Sequence, residues 1–361
     1  MTRKHNFSAG PAILPEQALK NGAQALKDYE GIGMSIAEVS HRSSEFENVL
    51  NDAVTKVRNL LKVPDDYAIL FLQGGASLQF AMAPYNLLPS DGKAAYIESG
   101  SWAKKAIKEA KFFGDVEVTA SSKDENFSYI PKDYKIPEDA SYLHLTSNNT
   151  IFGTQMHSFP DTSVPLVADM SSDILSRPLD ISRFGLIYAG AQKNLGPAGT
   201  TLVIVKKDLL GKVDRDIPTM LDYQTHIEKN SLYNTPPVFP IYICLETLKW
   251  IEQNGGLEGV QQNNKEKAEL LYEEIDSNPL FVGTAAKEDR SYMNVTFVMK
   301  EEGLDEKFLE EAEKADISGI KGHRSVGGFR ASIYNAMPKA SVEALVNLMK
   351  DFAKKHSKAE A

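Results

Sequence analysis

From Tyr67 onward the chain alternates short apolar runs with longer stretches of helical period, and this alternation limits the folds open to it more than any other feature. The runs are residues 68–72, 94–97, 116–119, 142–145, 166–168, 186–189 and 201–205. Runs so short and so continuously apolar suit strands that are buried on both faces, as in a parallel sheet covered by helices. The sequence therefore predicts an α/β fold, a large domain with a mostly parallel sheet sandwiched by helices. Helices are expected after Pro15, from the serines at 43–44 to about Leu61, over 78–87 in spite of Pro84, and after Trp102 to near Gly114. Past Val205 the sheet ends. Residues 222–230 are polar, 231–237 form a rigid extended turn around Pro236-Pro237, and two amphipathic helices follow over 241–253 and 257–276. A strand at 292–299, a helix at 304–315, a strand at 329–333 and a closing helix at 341–352 with a charged tail make a smaller α+β unit. The expected division is a large domain of residues 16–258 and a small α+β domain of residues 1–15 and 259–361.

Between the last two runs stands Gly190-Ala191-Gln192-Lys193-Asn194-Leu195-Gly196-Pro197, one lysine in a loop of small residues. Glycine and alanine let other groups approach the backbone, and burial there favours the neutral amine, so Lys193 is placed to act as a nucleophile. The alternative is a glycine-rich hairpin with a solvated lysine. Upstream, Asp169 closes the run 166–168. An aspartate and a lysine on separate strand ends are the pair that a pyridoxal 5'-phosphate site requires.

Other strand ends carry related signals. Gly74-Gly75-Ala76-Ser77 is a tight loop between a strand and a helix, the arrangement that offers backbone N–H groups to a phosphate. It has neither the Walker lysine nor the G-x-G-x-x-G spacing, which points to a phosphate on a smaller cofactor. Trp102 sits at a strand-to-helix turn, where an indole either packs in the core or stacks on a flat heterocycle. Thr150 lies in a loop dense in hydroxyls and amides that is either a plain turn or a ligand contact. His41 and Arg42 precede a helix start, and His323, Arg324 and Arg330 flank a diglycine. Both groups suit an anion, or else a solvated basic turn.

Composition narrows the classes. Of 361 residues 42% are apolar and 25% charged, as in a soluble globular protein, and the net charge of -9 argues against nonspecific nucleic-acid binding. Cys244 is the single cysteine, so neither an internal disulfide nor a cysteine-rich zinc site can form, and no metal is expected. It falls in a helical stretch and reads as a packed thiol. Without an apolar signal core or a run of about 18 apolar residues, the chain is expected to be cytoplasmic and free of the membrane.

Taken in order, Asn6-Phe7-Ser8-Ala9-Gly10-Pro11, Ser40-His41-Arg42-Ser43, Gly74-Gly75-Ala76-Ser77-Leu78-Gln79-Phe80, Gly100-Ser101-Trp102, Asn149-Thr150-Ile151, Asp169-Met170-Ser171-Ser172-Asp173, Gly190-Ala191-Gln192-Lys193-Asn194, Tyr233-Asn234-Thr235-Pro236-Pro237 and the stretch from Gly322 to Arg330 resemble the phosphoserine aminotransferase family. That family is a branch of the class V, fold-type-I pyridoxal phosphate-dependent aminotransferases. The resemblance implies amino transfer between L-glutamate and a phosphorylated 2-oxo acid, 3-phosphohydroxypyruvate, giving O-phospho-L-serine and 2-oxoglutarate in serine biosynthesis. It extends to 3-hydroxy-2-oxo-4-phosphooxybutanoate in pyridoxine biosynthesis. It also implies a homodimer with shared active sites.

The roles it implies follow residue by residue. Lys193 would carry the cofactor and move the substrate proton, and Asp169 would hold the pyridine nitrogen protonated. Trp102 would stack on the ring and Thr150 would bond its phenolic oxygen. Ala76, Ser77 and Gln192, with Asn234 and Thr235 of the partner subunit, would hold the cofactor phosphate. Some members carry a basic residue where Ser77 stands, so here that phosphate would lean on backbone donors. Arg330 would take the α-carboxylate. His323 and Arg324, with His41 and Arg42 of the partner subunit, would take the far end of the substrate. The nearest rival within the fold is a glyoxylate or pyruvate aminotransferase, with less need for the His-Arg pairs. A cysteine desulfurase would need a reactive loop cysteine, and a non-catalytic binding protein would not need Lys193 with Asp169.

Overall fold

The computed structural model describes residues 3–357, so the last four residues of the charged tail lie outside the described residues. In chain order the elements are β1 (His5–Asn6), α1 (Glu16–Lys27), α2 (Ser44–Leu61), β2 (Tyr67–Leu72), α3 (Gly75–Leu87), β3 (Lys93–Glu98), α4 (Ser101–Ala110) and β4 (Asp115–Ser121). There follow β5 (Leu143–Thr146), β6 (Leu166–Asp169), β7 (Phe184–Gly190), β8 (Thr201–Lys206), α5 (Tyr223–Glu228), α6 (Val238–Gln253) and α7 (Gly256–Ser277). The chain ends with β9 (Phe281–Gly283), β10 (Asn294–Met299), α8 (Asp305–Lys314), β11 (Ile317–Ser318), β12 (Phe329–Ser332) and α9 (Lys339–His356).

The main sheet has the order β2-β8-β7-β6-β5-β3-β4. β8 runs antiparallel to both of its neighbours, and the remaining pairs are parallel. Alternation along each strand divides its side chains between two cores. Ile69, Phe71, Ile187, Ala189, Leu202 and Ile204 join one core with α2 and α6. Ala68, Leu70, Leu186, Tyr188, Val203 and Val205 join the other with α3 and α4. Both faces are covered, which is why β2, β5, β6 and β7 are buried along their whole length and read as unbroken apolar runs.

A third core gathers Phe7 and Ile13 with Leu271, Ile275, Phe297, Phe308, Phe329 and Phe352. It lies against the antiparallel sheet β12-β10-β9, while β1 pairs in parallel with β11 and ties the chain start to the late elements. Helix α7 serves two cores, Leu257 and Val260 in the first and Ala268 to Ile275 in the third.

Some elements differ from the sequence expectation. The polar stretch 222–230 contains α5, capped by the Asp222 carboxylate accepting from the Gln224 N–H, with Tyr223 fully buried. Helix α3 starts at Gly75, inside the stretch read as loop. Gly74 takes φ 87°, a left-handed turn that starts the helix earlier than side-chain period suggests. Helix α4 stops at Ala110 rather than near Gly114. Strands β1, β9 and β11 are two or three residues long and leave no periodic signal.

Candidate active site

Because β2, β3, β5, β6 and β7 run in one direction, their carboxyl ends share one edge of the sheet, the edge where open α/β sheets bind ligands. At or just beyond these ends stand Ala76 in the first turn of α3, Trp102 in the first turn of α4, Thr150 in the loop after β5, Asp169 at the end of β6 and Lys193 in the loop after β7. With Ser77 and Gln192 these side chains line a single cavity.

The Lys193 loop is held on both sides. The N–H groups of Lys193 and Gly196 donate to the Ala191 carbonyl at 2.7 and 2.8 Å, and the Asn335 N–H donates to Asn194 Oδ1 at 3.0 Å. A side chain at Gly196 would bring its Cβ within 2.5 Å of Cys244 Sγ, so glycine lets the loop close onto α6. Cys244 is fully buried there and burial pushes its thiol up, in agreement with a packed role. Lys193 Nζ donates to Thr150 Oγ1 at 2.8 Å and lies 5.9 Å from the centre of the Trp102 ring. Burial lowers the Lys193 amine to about 8, although the Asp169 charge opposes the shift. At neutral pH roughly a tenth of such an amine is uncharged, against less than a thousandth at the ordinary value.

Asp169 ends β6 and is buried, with Oδ1 accepting from the Ser171 N–H at 2.9 Å. Burial raises its carboxyl, while the Ser171 hydrogen bond and the Lys193 cation lower it. Behind it Asp173 is held by the Ser147 hydroxyl, by Gln155 Nε2 at 3.2 Å and by Arg177 at 3.6 Å.

The cavity fits a flat, phosphorylated heterocycle. Helix α3 has no side-chain cap, so its first N–H groups are free for an anion beside Ala76 and Ser77. Among the described residues Trp102 Nε1 is buried without a partner, an orphan donor on a residue of the cavity wall. A carboxylate and an amine face the same space, one suited to a ring nitrogen and the other to an aldehyde carbon. A larger groove bounded by His157, Arg177, Glu258 and Lys265 contains none of these residues, and its mixed charges select no ligand class.

Arg330, on β12, donates from Nη1 to the Thr150 carbonyl at 3.2 Å, which brings the third core's sheet to the cavity. His323 Nδ1 is 2.7 Å from Ser325 Oγ, and burial together with the Arg330, Arg324 and Lys105 charges lowers the imidazole. His323, Arg324 and Arg330 do not themselves line the Lys193 cavity, and neither do His41, Arg42, Asn234 and Thr235 within one chain. Arg42 is exposed ahead of α2, and Asn234 Nδ2 donates to Gln73 Oε1 at 2.8 Å while Gln73 Nε2 donates to the Thr235 carbonyl at 3.1 Å. The sequence reading passed over Phe80, Asn148 and Ser171, which also line the cavity, and Lys105. Lys105 had a usable signal: three residues after Trp102, it shares that residue's face of a helix.

Residues 4–345 match the family model Aminotransferase class-V. The chain belongs to the class-V aminotransferases, pyridoxal phosphate-dependent enzymes of fold type I. A phosphoserine aminotransferase of Azobacteroides pseudotrichonymphae is 58% identical over 358 residues, 99% of each chain. The solved phosphoserine aminotransferase of Bacillus circulans subsp. alkalophilus superposes with a TM-score of 0.96 at 52% identity, over 98% of this chain and 99% of that one. A pyridoxal phosphate-bound phosphoserine aminotransferase from Trichomonas vaginalis gives 0.92 at 41% identity, over 96% of this chain and 100% of that one. Within its class the chain belongs to the phosphoserine aminotransferase family. Among the described residues no helix is long and apolar enough to cross a membrane.

Proposed function

We propose that the chain transfers the amino group of L-glutamate to 3-phosphohydroxypyruvate, reversibly, giving O-phospho-L-serine and 2-oxoglutarate in serine biosynthesis. The observation that carries this reading is the basic group around Arg330, which joins the cavity through its hydrogen bond to the Thr150 carbonyl. Among the described residues, His323, Arg324 and Arg330 have no carboxylate partner, in a chain whose net charge is -9. A cluster of like charges left uncompensated suits a substrate with an anion at each end.

Pyridoxal phosphate supplies, when bound, an electron sink for the pair released at the substrate Cα. The residues do the rest. Arg330 pairs with the α-carboxylate and fixes the Cα–H relative to Lys193. Lys193 Nζ, neutral in a useful fraction, is the base for that proton, and Thr150 Oγ1 keeps the amine oriented. With the cofactor bound, Asp169 would stabilise a protonated ring nitrogen, Trp102 would shield the ring from water, and the α3 N-terminus with Gln192 would hold the phosphate. His323 and Arg324 receive the far anion. The 3-hydroxy-2-oxo-4-phosphooxybutanoate of pyridoxine biosynthesis has the same charged ends and fits the same reading.

Removing the substrate's phosphate should cost about 100-fold in kcat/KM, as expected when one or two charge-assisted hydrogen bonds go unmade. Equal efficiency with hydroxypyruvate and its phosphorylated form would overturn the assignment. Arg324→Ala should lose roughly 10- to 100-fold on the phosphorylated substrate and keep its bound cofactor. Loss of cofactor in that variant would contradict the role given to Arg324.

The reading includes a homodimer, with His41, Arg42, Asn234 and Thr235 of one subunit completing the cavity of the other. It is supported by their separation from Lys193 within one chain, and by Tyr233, whose ring is 44% exposed beside Asn234. A mass in solution of twice 39.8 kDa is expected, and a fully active monomer would sink the idea.

A further inference from the structure

Helix α4 starts at the cavity wall with Trp102 and one turn later presents Lys105. Its ammonium lies 4.3 Å from the centre of the Trp102 ring, one wall of the Lys193 cavity. It is exposed, and its charge is one of the three that depress the His323 imidazole, along with Arg330 and Arg324. Among the described residues none of these cations has a carboxylate partner. Lysine bound to the face of an indole loses stem freedom at little cost, so its charge stays in one place. An ammonium that shares its surroundings with the Arg324 and Arg330 charges raises the free energy of the empty site, and an incoming dianion relieves it.

We propose that Lys105 is a specificity-determining residue, a further cation beside Arg324 and Arg330 in the subsite for the far end of the substrate, that favours a phosphate over a carboxylate. The inference rests on the phosphorylated-substrate reading given above. A phosphate monoester carries a charge of about -1.5 to -2 at neutral pH and a carboxylate -1. A point cation therefore contributes about twice as much free energy to the first as to the second. The lysine ammonium acts as a compact point charge held on the indole, whereas Arg324 supplies the planar fork.

Lys105→Met keeps the stem against the indole and removes only the charge. It should lower kcat/KM for 3-phosphohydroxypyruvate about tenfold, and for glutamate only about threefold, the square root that half the charge predicts. KM carries the change, the cofactor absorbance stays, and Lys105→Arg restores most of the loss. Lys108→Met, on the same helix but outside the cluster, serves as the control with wild-type behaviour. An equal loss on both substrates, or no loss on the phosphorylated one, would overturn the role. Loss of cofactor from Lys105→Met would show a clamp on Trp102 instead and would overturn it too. The wild type separates this test from the broader reading. If it does not prefer the phosphorylated substrate, the reading itself fails; if it does and Lys105→Met keeps that preference, only Lys105 is misassigned.

Discussion

Lys193→Ala should lose transamination by about 10⁴-fold or more, because the group proposed both to carry the cofactor and to move the proton is gone. The variant should also lose the visible absorption of lysine-linked pyridoxal phosphate. The fold should survive, since the side chain belongs to none of the three cores, and its removal takes an amine out of a site where burial disfavours the charge. A second reading is available in the cofactor-free protein. Folding lowers the Lys193 amine from the ordinary lysine value of 10.5 to about 8. Between those values the unfolded chain binds more protons than the folded one, so stability rises with pH across that window. The cost of burying the charged form is complete below about 8 and gone above 10.5. Chemical denaturation at several pH values should show a shallower slope in Lys193→Ala than in the wild type, the remainder coming from Lys267, which burial lowers to about 7. A variant with substantial activity and unchanged absorption would reject Lys193 as the nucleophile.

The second large effect belongs to Asp169. Asp169→Asn keeps the shape and the acceptor for the Ser171 N–H, so the β6 end should hold its conformation. What it loses is charge in a buried place, where electrostatic stabilisation of a developing charge is worth about 10²- to 10³-fold in kcat. The glutamate half-reaction should slow by that amount with cofactor still bound. The same charge is the main influence holding the Lys193 amine up, so in the cofactor-free variant Lys193 should titrate below its wild-type value. Spectroscopic titration of the lysine would read that shift. Unchanged kcat together with an unchanged lysine titration would remove Asp169 from the site.

The residues of these two predictions were legible because each stands at the end of an apolar run, and parallel pairing turns such ends into neighbours. Asp169 ends β6 and Lys193 follows the end of β7, and the register Asp169↔Tyr188 puts the two ends side by side. Trp102 and Ala76 follow the same rule. The six-residue helix α5 was not legible, since a segment shorter than two turns has no period to detect and is fixed by the burial of Tyr223. Nor was the early start of α3, which depends on one left-handed glycine.

Local sequence thus determined the alternating α/β scaffold, the lysine and carboxylate at strand ends, and the kinds of ligand that free N–H groups and arginines could hold. These follow from periodicity and chemistry within a few residues. Tertiary structure alone decided which groups share a space. Lys193 meets Thr150 across 43 residues and Arg330 reaches the Thr150 carbonyl across 180. Only the docking of the late α+β elements on the sheet edge sets Lys105, His323 and Arg330 against one another, because charges interact by distance in space and not by separation along the chain.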